Sequence, residues 1–109
     1  MFVCASKAIE PSYCSIPTLE GAKVVLKSSN GQSDSDGQVE AWVKMTGVSK
    51  GSQRTVNVVV YCYDIRGVLI DAKSVSVECS SGYCPYTEVR FDVQPNKAYR
   101  FGLSDATCY

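Results

Sequence analysis

An antiparallel β-sandwich of six to seven strands is the fold class that this 109-residue sequence predicts, on three observations. Apolar and polar residues alternate with period two from Ala22 onward, which is the pattern of half-buried strands. Such segments recur at about ten-residue spacing, separated by turns rich in Gly, Pro, Asn and Ser, as in two-sheet β domains. Six cysteines in a short chain without histidine point to disulfide stabilisation. A small barrel is the alternative architecture.

The elements follow in order. Residues 1–21, with Pro11 and Pro17, read as an irregular segment held by disulfides, and residues 22–109 as the sandwich domain. "AKVVLK" is a short strand. In "QVEAWVKMT", Val39, Ala41, Val43 and Met45 share one face, and Glu40, Trp42 and Lys44 the other. "TVNVVVYCYD" places Val56, Val58, Val60 and Cys62 on one side and Val59, Tyr61 and Tyr63 on the other. A strand apolar on both faces belongs in the middle of its sheet. "VLIDAKSVSVEC" follows a tight turn at Gly67. "TEVRFDV" turns Val89, Phe91 and Val93 inward, and "AYRFGL" does the same with Tyr99, Phe101 and Leu103. No segment sustains apolar residues at helical spacing, so no long helix is expected.

The cysteines are Cys4, Cys14, Cys62, Cys79, Cys84 and Cys108. Zinc sites need two chelating turns and often histidine, whereas only Cys79 and Cys84 are close enough here to form one turn. A redox pair would be Cys-x-x-Cys opening a helix. "ECSSGYCPY" instead follows a strand-like run and encloses Gly82, so it reads as a staple across a hairpin or short loop. Six cysteines leave many connectivities open. The pairing taken as the expectation is Cys79–Cys84, Cys4–Cys14 and Cys62–Cys108, in an oxidising compartment.

The stretch "VNVVVYCYDIRGVLIDAKSV" resembles the FxLYD-type extracytoplasmic domains, in which a strand ending in Tyr-Asp enters a D-x-x-G turn. Tyr63, Asp64 and Gly67 carry the match, and Phe91 in "VRFDV" fits a later strand, over about residues 38–103. Cys62 and Val60 stand where that pattern has leucine and phenylalanine, and the six cysteines are foreign to it. The resemblance implies an immunoglobulin- or fibronectin-like sandwich with no catalytic residues.

Composition narrows the function. A hydrophobic content of 45% excludes intrinsic disorder. Eleven acidic and eleven basic residues cancel without a basic stripe, so no nucleic-acid partner is expected. The longest apolar run, Val58 to Tyr63, is too short for a membrane span. The opening "MFVCASKAIEPSYC" lacks the plan of a signal peptide and reads as a mature region. Without histidine, Ser-His-Asp and Cys-His catalysis are closed, and the carboxylates sit outward or in loops, so no enzyme and no cofactor are expected. Asp34 and Asp36 in "NGQSDSDG" resemble part of a calcium loop, but Gln32 and Val43 occupy the first and last ligand positions. That stretch reads as a polar connector, with no metal.

Trp42, Tyr61 and Tyr63 are the candidate binding residues: outward aromatics on one sheet face would give large contact area at little entropic cost. The competing expectation is that the chain itself covers that face. The function expected is a secreted, cysteine-stabilised binding protein of the microbial effector or virulence type, acting on a protein partner. A structural or adhesive module of a larger surface protein is the alternative.

Overall fold

The computed structural model describes residues 13–15, 22–47 and 53–103. These form eight strands and no helix: β1 Tyr13–Ser15, β2 Lys23–Leu26, β3 Asn30–Gln32, β4 Gln38–Thr46, β5 Gln53–Asp64, β6 Leu69–Ser80, β7 Thr87–Asp92 and β8 Ala98–Leu103. They build two four-stranded sheets, β1-β2-β4-β7 and β3-β8-β5-β6. Every pairing within them is antiparallel.

Parity sorts the side chains as alternation requires. Val39, Ala41, Val43 and Met45 of β4 are buried, as are Val56, Val58, Val60 and Cys62 of β5. With Val24, Val77, Val89, Phe91, Tyr99, Phe101 and Leu103 they form one core shared by both sheets. Phe91 of the first sheet and Phe101 of the second stack with ring centroids 6.0 Å apart. Strand β5, apolar on both faces, is interior to its sheet, between β8 and β6.

The two three-residue strands carry the count past the six to seven expected. β3 lies inside the polar stretch "NGQSDSDG" and shows no apolar alternation. Its backbone pairs with β8, Gly31 opposite Tyr99. A Cβ on Gly31 would stand 3.1 Å from the Phe101 ring and 3.2 Å from Val39, so the missing side chain lets the strand close over the core. Asp34, weighed as a calcium ligand, pins the next turn: its Oδ1 accepts the backbone N–H groups of Asp36 and Gln38 at 2.9 and 3.0 Å.

The Cys79–Cys84 bridge is present, with Cα atoms 4.3 Å apart. It staples a two-residue turn in which Ser80 and Tyr83 exchange backbone hydrogen bonds, each 2.9 Å. Ser81 and Gly82 both have positive φ, 52° and 83°, the type I′ geometry that matches strand twist. The expected Cys62–Cys108 bridge is not made. Cys62 is a free thiol with 0% of its surface exposed, because its inward parity on β5 carries it into the core. The expected Cys4–Cys14 bridge and the chain beyond Leu103 lie outside the described residues, apart from the Cys14 backbone in β1.

Candidate binding site

The three aromatics proposed from the sequence are not brought together. Trp42 is on β4 of the first sheet and Tyr61 and Tyr63 are on β5 of the second, so their outer faces point in opposite directions with the core between them. Period-two alternation tells which side chains leave the core; it cannot tell which sheet they leave from. Tyr63 is also covered, at 5% exposure, with its ring 6.3 Å from that of Tyr61. Trp42 alone of the three is an open aromatic, at 39% exposure.

A different surface gathers at one end of the molecule, where three turns converge: residues 33–37, 65–68 and 93–97. Asp64 builds the β5–β6 turn. The backbone N–H groups of Arg66 and Val68 donate to its Oδ1 at 2.9 and 3.0 Å, and Gly67 takes φ +86°. The bond from Val68, and the further ones from Arg66 together with its charge, hold the Asp64 carboxyl below the usual carboxylate range. Ser33, buried, ties the other two turns together: its Oγ donates to Gln94 O at 2.6 Å and accepts from Lys97 N–H at 3.0 Å. Tyr99 Oη accepts the Gln94 N–H at 3.1 Å. Each turn is therefore fixed by side-chain bonds to backbone, which makes this end a rigid platform.

On that platform stand large aliphatic side chains that find no core. Ile65, Val68, Leu69 and Ile70 are 64%, 52%, 51% and 44% exposed. Ile65 and Ile70 line a cleft of about 690 Å³ together with Val93, Ala98 and Tyr99. Arg66 and Lys97 line it too, and a shallower depression beyond Ile65 reaches Arg100. Asp64 is the acidic residue in these walls, and both its oxygens are engaged by the turn and by Arg66.

No protein-family model, curated protein or solved structure matches the chain. The surface must be read from its own chemistry.

Sequence reasoning passed over this cluster although a signal was present. "VLI" at 68–70 is a run of three aliphatics where alternation requires only every second one, and Ile65 occupies a turn position where polar residues are usual. Alternation breaks here because the β5–β6 register shifts between Cys62 and Tyr63: Cys62 opposes Asp71, but Tyr63 opposes Leu69, leaving Ile70 as the extra residue of a bulge. Among the described residues no group of His, Cys, Asp and Glu could hold a metal ion, and no helix is long and apolar enough to cross a membrane.

Proposed function

We propose that this chain is a secreted, immunoglobulin- or fibronectin-like binding domain of the effector type, which captures a protein partner through the end of the sandwich bearing Ile65, Val68, Leu69 and Ile70. The observation that carries the reading is that four large aliphatic side chains close together along one turn and the strand after it are exposed, two of them, Ile65 and Ile70, lining one cleft. A contiguous apolar patch on an otherwise polar surface is the usual mark of a contact site. Cations at Arg66, Lys97 and Arg100 border it, so the partner presents an apolar side chain flanked by carboxylates.

The finer fold reading is supported by connectivity. β4 to β5 and β7 to β8 pass from one sheet to the other, while β5 to β6 stays within its sheet. Tyr99, near the start of β8, returns its hydroxyl to the Gln94 backbone upstream, as the tyrosine corner of such sandwiches does. The D-x-x-G turn at Asp64–Gly67 supports the FxLYD-type resemblance. Secretion is supported by the Cys79–Cys84 bridge, since disulfides persist in oxidising compartments.

The test is a paired Ile65→Ser, Leu69→Ser variant. Both side chains are mostly in water already, so stability should change by no more than about 0.5 kcal/mol per site. Capture of a specific partner from extracellular fluid should be lost. Undiminished capture by the variant would refute the assignment, as would a monomer–dimer equilibrium that the two serines abolish.

A further inference from the structure

The outer face of the first sheet carries a second, independent feature. Lys27 N–H donates to Trp42 O at 2.8 Å, which places Lys27 beside the indole on one side, and Glu88 is the cross-strand partner of Trp42 on the other. Tyr86, 39% exposed, lies just before β7. The ammonium groups of Lys27 and Lys44 both stand over its ring, 5.5 and 4.9 Å from the centroid. Two like charges are thus gathered at one spot by the ring's negative face. The carboxylates of the same sheet face are engaged elsewhere: Arg90 binds Glu40 at 3.5 Å and Glu88 at 3.1 Å. Among the described residues, Lys27 and Lys44 make no ion pair.

We infer that this face binds an acidic saccharide, with a sugar ring stacked on Trp42 and its carboxylate held by Lys27 and Lys44. Three properties select that chemistry. Among the described residues no carboxylate pairs with these two cations, and they are adjacent to an open indole, so they complement a ligand having an apolar ring face and an anion side by side. Neither of the two depressions at the Ile65 end includes this face, which suits a flat ring better than a protruding side chain. Glu40 and Glu88 flank the indole, and the oxygens that Arg90 does not take can accept hydrogen bonds from the hydroxyls of a sugar ring, donors that a phosphate chain lacks, which favours the saccharide over a nucleic acid.

Trp42 is the single tryptophan of the chain, so intrinsic fluorescence reports directly on this face. The full chain is titrated at low salt with a galacturonate hexamer, a neutral glucose hexamer and a thymidylate hexamer. The galacturonate hexamer should shift or quench the emission saturably, and the neutral hexamer should bind at least about tenfold more weakly. By calorimetry, Lys27→Gln with Lys44→Gln should weaken the acidic hexamer by about tenfold or more while the melting temperature stays put. Should the double variant melt early, each single substitution gives the same comparison. The inference is overturned by an unsaturable response up to about 10 mM, by equal affinity in the glutamine variants, or by tighter binding of the thymidylate.

Discussion

Cys62 shows how far one position can be read. Its parity on β5 is plain in the alternation, and parity places it in the core; what parity does not settle is whether a thiol so placed finds a partner. It does not, and burial, with the charge of its cross-strand neighbour Asp71 as a lesser cause, pushes the thiol up to about 12 from an ordinary 9.0. The folded state therefore holds the proton more tightly than the unfolded chain. The stability this contributes is complete below pH 9 and is lost as pH rises toward 12. Two outcomes follow. In the native protein at pH 8, Cys62 should resist alkylation, as peptide mapping after labelling would show, and should react once the chain is unfolded. The stability gap between wild type and Cys62→Ala should narrow between pH 9 and 12, and a gap constant across that window would mean the thiol is not buried. The turn at Gly67 was legible too, because a tight turn needs a residue that takes positive φ; the carboxylate of Asp64 as its acceptor was not, Asp64 having entered only through the D-x-x-G resemblance.

At the level of elements, strands with clean alternation declared themselves, and β3 did not. Asn30–Gln32 is a strand through its backbone pairing with β8, and its side chains carry no trace of that. β6 shows a further device that only the arrangement of sheets makes visible. It is twelve residues long and, among the described strands, pairs only with β5, so its far edge is a template for another chain. Lys73 guards it. By parity this residue points inward with Val75 and Val77, and its ammonium crosses to the other sheet, donating to Arg90 O at 2.6 Å and standing 5.8 Å from the Phe91 ring centroid. An inward charge on an edge strand penalises any neighbour that would bury it. Lys73→Val should consequently promote self-association, seen as a rising sedimentation coefficient with concentration while wild type stays constant. A variant that remains monomeric at the same concentrations would show that the edge is protected in some other way.

For the whole molecule, the sequence defined two sets of strands' faces, inward and outward, without dividing the strands between sheets. The division depends on connections: β4 to β5 crosses between sheets, so Trp42 parts company with Tyr61 although their strands are consecutive. Energetics should follow the division. Phe101→Ala removes a fully buried ring that stacks on Phe91 across the core, and should cost about 3–5 kcal/mol in chemical denaturation. Trp42→Ala, on an outer face, should cost no more than about 1 kcal/mol; comparable losses for the two would place Trp42 in the core after all. Among the described residues, the aliphatic side chains at Ile65–Ile70 are a cluster that this partition leaves unexplained by packing. Its assignment as the docking surface is tested most directly by a photoreactive amino acid placed at Leu69 in one protein and, as control, at exposed Ser76 in another, each irradiated in extracellular fluid. A discrete crosslinked adduct is expected from position 69 and none from position 76; adducts that are the same from both positions, or absent at 69, would contradict that assignment.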